Sequence, residues 1–157
     1  VAFFIDGNFV GATATDTGGI AALNYEIPAI GAGTHTLTMK YKGSSRYTPA
    51  NSSATLTVAA ADTNLAVNSA TQTRGRVAVL SARLWNVRNY GYLAGQTVTF
   101  SIDGTVVGTG VTGSDGYARY SFTVPTSFSI GAHTIDAEFA GDTSYNASAG
   151  SGTLTVN

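Results

Sequence analysis

The chain lacks cysteine, and it has only two histidines, three prolines and one tryptophan among its 157 residues. Without cysteine it can form no disulfide, thiolate nucleophile or cysteine-ligated zinc site. Eight basic and nine acidic side chains leave a net charge of -1. Nucleic-acid binding requires clustered Lys and Arg, so no nucleic-acid partner is expected. No apolar run approaches the length of a membrane span, so no membrane insertion of this segment is expected either.

The chain begins with Val1 rather than Met, and no signal-peptide pattern follows. We therefore expect a piece of a longer protein, in which an export signal could lie upstream. Gly, Thr, Ser and Ala are abundant, whereas Lys, Glu and Leu are scarce. This composition, with its Val and aromatic residues, favours β-structure over helix. A hydrophobic content of 43% is sufficient for the packed core of one or two small domains.

One sequence unit occurs twice. Residues 1–28 align with residues 98–125 and, after one extra residue in the second copy, residues 33–58 align with residues 131–156. Each copy contains an Asp-Gly pair between two apolar-alternating runs, at Asp6-Gly7 and at Asp103-Gly104. Such a pair predicts a two-residue hairpin turn with positive φ at both positions. The repetition indicates two copies of one structural unit.

Short runs in both copies alternate apolar and polar residues, which is the pattern of half-buried β-strands. Turn residues separate the runs, so we predict an all-β fold, an antiparallel sandwich. In the second copy the predicted inward sets are Val98/Phe100/Ile102, Ala118/Tyr120/Phe122/Val124, His133/Ile135/Ala137/Phe139 and Leu154/Val156. In the first copy they are Val1/Phe3/Ile5, Ala21/Leu23/Tyr25/Ile27, His35/Leu37/Met39/Tyr41 and Leu56/Val58.

The second copy begins with two strands that the first copy lacks. Residues 63–71 read as one strand, and residues 76–85 read as another with Ala78, Leu80, Ala82 and Leu84 inward. We therefore predict an incomplete unit at 1–58 without its two N-terminal strands, a linker at 59–62 and a complete sandwich at 63–157. Three explanations of the incomplete unit stay open: a truncated fragment, strands on an upstream segment, or strands supplied by another chain.

Several stretches of the second copy carry a family resemblance: LAGQTVTFSIDGTVVGT, GSDGYARYSFTV, GAHTIDAEFAGDTSYNAS and TLTV. The first copy echoes them with FFIDGNFVGA, GTHTLTMKYKGSSRYTPANSS and TLTV. Together they resemble the Ig-like repeat domains that occur in tandem on bacterial secreted and cell-surface proteins. The resemblance implies tandem immunoglobulin-like β-sandwiches, an extracellular or cell-surface setting and a role as spacer or adhesion module. It transfers no catalytic residue, because such families share none.

Motifs that would indicate catalysis, a cofactor or a metal are weak. GTGVTG at 108–113 matches a dinucleotide-binding pattern, but a turn and a strand follow it where that site needs a helix. His35 and His133 alternate with core residues, so each is predicted to be a hydrogen-bonded histidine at a strand end. Asp62 and Asp142 are candidates for a calcium site at the domain junction, but the acids are too sparse to predict one. We predict no catalytic residue, no cofactor and no metal.

Unusual chemistry is confined to RLWNVRNYGYLAG at 83–95. Arg83 and Trp85 are predicted to share the outward face of a strand, and the following loop adds Arg88, Tyr90 and Tyr92. Aromatic rings stack on sugars, and Arg pairs with anions. These five residues are the candidate ligand-binding site. The alternative is that the aromatic side chains pack against a neighbouring domain or cap the core.

The sequence as a whole predicts a non-catalytic extracellular module that acts as a structural spacer, stalk or adhesin segment of a bacterial surface or secreted protein. The expected partners are neighbouring Ig-like repeats of the same or an adjacent chain, with surface glycans or host and cell-surface proteins as further candidates. One alternative is a carbohydrate-binding accessory module that uses the aromatic loop. The other is a filament subunit whose incomplete first unit is completed by strands of a neighbouring chain.

Overall fold

The computed structural model of the protein describes residues 1–27 and 30–157, which form two compact units, Val1–Ala60 and Ala61–Asn157. The first unit contains strands β1 (Ala2–Ile5), β2 (Asn8–Ala12), β3 (Gly33–Tyr41) and β4 (Ala50–Val58). The second contains β5 (Thr63–Asn68), β6 (Ala70–Gln72), β7 (Val77–Asn86), β8 (Thr97–Ile102), β9 (Thr105–Val111), β10 (Tyr117–Thr123), β11 (Gly131–Phe139) and β12 (Ser148–Val156).

The second unit consists of two sheets whose apolar faces meet. One sheet has the strand order β10-β7-β5, and the other has the order β6-β12-β11-β8-β9. Every pair is antiparallel except β6 with β12. Alternation places every second side chain inward, and the fully buried large side chains are Phe100, Leu80, Leu84, Ile135, Leu154, Val98, Val124 and Val156. The predicted all-β sandwich is confirmed here.

The prediction of one continuous first strand at residues 63–71 is wrong, because the chain changes sheets at Ser69. β5 pairs antiparallel with β7, whereas β6 pairs in parallel with the end of β12. The Ser69 hydroxyl at the break accepts a hydrogen bond from the Thr153 N–H at 3.0 Å. The period-2 pattern continues across the break and therefore does not mark it.

The first unit repeats half of this architecture. Its sheet has the order β2-β1-β3-β4, which corresponds strand for strand to β9-β8-β11-β12. Both copies have a register shift at the same place, between Phe3 and Phe4 in β1 and between Phe100 and Ser101 in β8. The predicted hairpin turns are also confirmed, with φ of 47° at Asp6 and 48° at Asp103.

The predicted strand at residues 21–27 does not form. The equivalent β10 in the second unit has seven residues paired with β7, and the described part of the first unit has no strand that corresponds to β7. Ladder hydrogen bonds are what define a strand, so apolar alternation without a partner is insufficient. Leu23 still packs at Gly11 as Tyr120 packs at Gly108. Tyr25 and Ile27, which were predicted inward, are 40% and 41% exposed.

Candidate functional site

The predicted ligand site lies on the outer face of the three-stranded sheet and in the loop that follows β7. The guanidinium carbon of Arg83 lies 3.7 Å from the centre of the Tyr92 ring and 5.0 Å from that of Tyr117. Arg83 Nε donates a hydrogen bond to the Asp115 carbonyl oxygen at 3.1 Å. The Arg119 guanidinium continues the stack, 4.9 Å from the Tyr117 ring centre, and donates to the Asp115 carboxylate at 2.8 Å. We call these five residues the Arg83 stack.

The structure brings together only part of the predicted set. Trp85 is half-buried and pairs through its backbone with Tyr92, which holds the Tyr92 backbone beside β7. Tyr90 is 74% exposed at the loop tip, with a φ of 55°. The backbone N–H of Arg88 donates to the Asn86 side chain, and the Arg88 side chain is exposed outside the Arg83 stack.

Sequence reasoning missed Tyr117, Arg119 and Asp115. Tyr117 lies directly across from Arg83 in the β7–β10 pairing. Alternation along YARY places Tyr117 and Arg119 on one outward face, but it does not reveal which residue of β7 they face. That register is a long-range property of the fold.

A second constellation occurs once in each unit and joins the hairpin aspartate to the histidine. His133 Nδ1 lies 2.6 Å from Asp103 Oδ2, and His133 Nε2 lies 3.0 Å from the Ser129 carbonyl oxygen. The other carboxylate oxygen of Asp103 accepts a hydrogen bond from the Thr134 N–H at 2.9 Å. The His133 side chain is only 9% exposed, and its ring lies against Phe128 with a centroid distance of 4.4 Å. The carboxylate thereby ties the β8–β9 turn to the start of β11.

The first unit contains the same arrangement, and we call each of these Asp–His pairs with its backbone partners a clasp. His35 Nδ1 lies 2.6 Å from Asp6 Oδ2, His35 Nε2 lies 2.9 Å from the Gly31 carbonyl oxygen, and Asp6 Oδ1 accepts from the Thr36 N–H at 2.8 Å. The predicted description of both histidines as hydrogen-bonded residues at strand ends agrees with this geometry. What the prediction missed is the partner, although the recurrence of one Asp and one His per copy was a signal in the sequence.

Both clasps favour the charged form of the histidine. A carboxylate and a carbonyl oxygen only accept hydrogen bonds, so both ring nitrogens can donate only when the ring is an imidazolium. The hydrogen bond to Asp103, followed by the one to the Ser129 carbonyl, raises the pKa of His133, and the hydrogen bonds from His133 and Thr134 lower the pKa of Asp103. The pKa of His35 is likewise raised, first by Asp6, and that of Asp6 is lowered, first by His35.

Ser129, His133 and Asp103 superficially resemble a catalytic triad, because the Ser129 hydroxyl lies 3.2 Å from His133 Nε2. A triad histidine must take the serine proton on that nitrogen. Here the nitrogen lies closer to the Ser129 carbonyl oxygen, at 3.0 Å, and it donates to that oxygen when the ring is an imidazolium. The equivalent residue in the first unit is Gly31, which carries no hydroxyl. The arrangement is therefore a structural clasp that has the spacing of a triad.

The acids considered for calcium binding are engaged within the protein. Asp142 Oδ1 accepts hydrogen bonds from the Ser144 and Tyr145 N–H groups, and Asp62 accepts one from the Asn146 amide. The hydroxyl of Ser44 performs the role of Asp142 in the first unit. Among residues 1–27 and 30–157, no three His, Asp or Glu side chains are grouped as a metal site would need. The same residues include no helix long and apolar enough to span a membrane.

The family comparison agrees with this architecture. Residues 63–157 match the model of the bacterial Ig-like domain (group 3), and this match covers more than half of the chain. The chain therefore belongs to that family, as the motifs of the second copy indicated. No curated protein matches the chain significantly.

Solved structures with a similar fold include tandem modules. A tetra-tandem repeat from the extending region of a large adhesion protein matches with a TM-score of 0.52 and 19% identity, over 99% of this chain and 41% of that one. The fibronectin(III)-like modules of Clostridium thermocellum CbhA match with a TM-score of 0.47 and 15% identity, over 99% of this chain and 76% of that one. At these identities the first likeness supports the fold alone. This chain spans less than half the length of that adhesion protein chain.

Proposed function

We propose that this chain is a load-bearing spacer segment of a bacterial surface or secreted protein, working outside the cell between neighbouring Ig-like repeats. The observation that carries the proposal is the repetition of one sequence unit in a single chain, whose second copy matches the bacterial Ig-like domain. A spacer needs length and resistance to extension rather than a reactive site, and tandem repetition provides length. The engaged Nε2 of His133 supports a non-catalytic role.

The pairing of β6 with β12 supports mechanical resistance of the second unit. These strands, near opposite ends of the unit's sequence, run in parallel, with Ala70 across from Leu154 and Gln72 across from Val156. The Asn157 N–H donates to the Gln72 carbonyl at 3.0 Å. When the ends of such a unit are pulled apart, parallel strands slide lengthwise, so their hydrogen bonds are loaded together rather than one after another. Simultaneous rupture requires a larger force than sequential rupture.

Single-molecule force spectroscopy on the full chain tests this proposal. We expect Ala70→Pro, which removes a β6 N–H that faces β12, to lower the unfolding force of the second unit. Thr71→Pro is the matched control, because alternate residues of β6 bond to β12 and the N–H of Thr71 points away from it. Equal unfolding forces for the wild type and Ala70→Pro, or a larger drop for Thr71→Pro, would contradict the proposal.

A second candidate function is carbohydrate binding, which the exposed Tyr92 beside Arg83 and the exposed Tyr90 in the same loop favour. Tyr92 is 49% exposed and Tyr90 is 74% exposed. Exposed aromatic rings on a rigid sheet are suited to stacking on sugar rings. Binding of any oligosaccharide that is lost in Tyr92→Ala would support this candidate, and retention of the affinity would remove it. An adhesive spacer would combine both functions.

A further inference from the structure

The Arg83 stack holds a cation in a fixed orientation on an exposed sheet face. Tyr92 lies against one part of the guanidinium, Tyr117 lies nearby, and Nε is fixed by the Asp115 carbonyl. The backbone of Tyr92 pairs with Trp85, and its side chain packs over Gly116, where an added Cβ would lie 3.0 Å from the Tyr92 Cβ. A guanidinium restrained in this way loses little conformational freedom when it binds a ligand.

The two arginines of the stack differ in how many of their hydrogen-bond donors remain free for a ligand. Arg119 is paired with the Asp115 carboxylate at 2.8 Å. Within the described residues, no carboxylate lies within salt-bridge distance of Arg83, and its terminal nitrogens donate no hydrogen bond to the protein. Arg83 thus retains the paired donors that recognise a planar anion in a bidentate manner.

The distribution of charge in the second unit makes this face attractive to anions. All five of its arginines lie on β7, on β10 or in the segments that flank β7. Across residues 73–95 and 112–125 the one acid is Asp115, which is already paired with Arg119. The opposite sheet presents Asp136 and Glu138 outward from β11. Asp62, directly before β5, is the other acid beside the three-stranded sheet, so an anion approaching it meets five arginines against two carboxylates, an excess of positive charge.

We propose that the Arg83 stack binds a carboxylate-bearing sugar residue of an acidic polysaccharide. This inference rests on the carbohydrate-binding candidate function and names its ligand class. The carboxylate pairs with Arg83, and the sugar ring lies against the exposed tyrosines of the adjacent loop. A carboxylate alone would fit an acidic peptide as well; the exposed rings of Tyr92 and Tyr90 favour a saccharide. The stack itself contains one unpaired arginine, Arg83, which is too little positive charge to neutralise a nucleic-acid phosphate backbone.

Isothermal titration of the full chain with tri-galacturonate, its methyl ester and neutral galacto-triose tests the assignment. We expect tri-galacturonate to bind and both uncharged sugars to bind at least about tenfold more weakly, because they lack the anion that Arg83 pairs with. Arg83→Gln should weaken tri-galacturonate binding by about tenfold or more. Arg76→Gln is the matched control and should change it by less than about threefold, because Arg76 precedes the same strand but lies outside the Arg83 stack. Amide NMR spectra establish that each variant is folded.

Each other outcome overturns the assignment in a distinguishable way. Equal affinity for the acid and the neutral sugar, lost in Tyr92→Ala, would retain carbohydrate binding and remove the role of Arg83. Equal affinity of an oligoglutamate peptide would reassign the surface to an acidic protein partner. The absence of any binding would remove both the ligand assignment and the carbohydrate candidate, while the spacer function would still be decided by the force measurement.

Discussion

The two units share four strands in the same order, but the second has a facing sheet and the described part of the first does not. The consequence is visible in burial. The buried core cluster lies entirely in the second unit, while Ile5 is the buried hydrophobic residue of the described first unit. Equivalent sequences therefore have different environments. The alternation of apolar and polar residues therefore predicts which side chains turn inward, whereas the presence of a facing sheet determines whether they are buried.

The two copies also differ at positions where a glycine of the second copy lies against the backbone of a neighbouring strand. An added Cβ on Gly150 would lie 2.3 Å from the Leu65 carbonyl oxygen, and one on Gly110 would lie 2.6 Å from that of Arg119. The first copy carries Ser52 and Thr13 at these places. A strand placed on β4 as β5 lies on β12 would collide with Ser52. Completion of the first unit by a neighbouring chain, our third alternative, would therefore need a different approach of that strand.

The largest contrast is expected at Phe100 and its counterpart Phe3. Phe100 is fully buried, so Phe100→Ala should lower the free energy of unfolding of the second unit by about 3–5 kcal/mol. Phe3 is half-buried, and Phe3→Ala should cost the first unit about 1–2 kcal/mol. Trp85 fluorescence reports the second unit during denaturation, and amide exchange in β3 reports the first. Equal losses would mean that Phe3 is as well covered as Phe100.

Exchanging residues at the close approach should have an intermediate effect. Gly150→Ser introduces the side chain of Ser52 against the Leu65 backbone, and we expect a loss of about 1–3 kcal/mol in the second unit. The reciprocal Ser52→Gly should cost the first unit less than about 1 kcal/mol, through backbone freedom alone. The denaturation midpoints of both variants give the comparison. A neutral Gly150→Ser would show that β5 can move away from β12.

The clasps should give both units a similar dependence on pH. Because the histidine pKa values are raised, their stabilisation is fully present below about pH 6.5 and is lost as the pH rises through the raised values. Because the aspartate pKa values are lowered, their contribution is present above pH 3.8 and is lost as the pH falls through the lowered values. The clasp should stabilise most between about pH 4 and 6.5.

NMR titration of the histidine ring protons checks this directly. Asp103→Asn should move the pKa of His133 down toward its ordinary value and leave that of His35 unchanged, so one molecule contains both the test and the control. An unchanged His133 pKa would show that the carboxylate does not hold the imidazolium.

The smallest expected effect distinguishes the two clasps. The Ser129 hydroxyl can donate a hydrogen bond to Nε2 of a neutral His133, and Gly31 offers nothing equivalent to His35. Ser129→Gly removes this support of the neutral ring and should raise the pKa of His133 slightly further. The same titration measures it. A lowered His133 pKa would mean that the hydroxyl serves the charged ring instead.

Much of the fold was predictable because local patterns determine it. Alternation identified the inward residues of β7, β8 and β11, and the Asp-Gly pairs identified both hairpin turns. The failures involve partners distant in sequence. Residues 21–27 have the pattern of a strand without a neighbour to pair with, and the break at Ser69 depends on which sheet each half joins. In the candidate site, the sequence predicts Arg83 and Tyr92. It does not predict Tyr117, because Tyr117 reaches Arg83 only through the register of β10 against β7.

Amide hydrogen exchange on the full chain tests the central comparison most directly. The account predicts that within residues 117–123 the amides of Ala118, Tyr120 and Phe122, which face β7, are strongly protected, and that residues 21–27 exchange rapidly despite their matching pattern. It also predicts slower exchange in β11 and β12 than in β3 and β4. Protection of residues 21–27 equal to that of residues 117–123 would contradict the account.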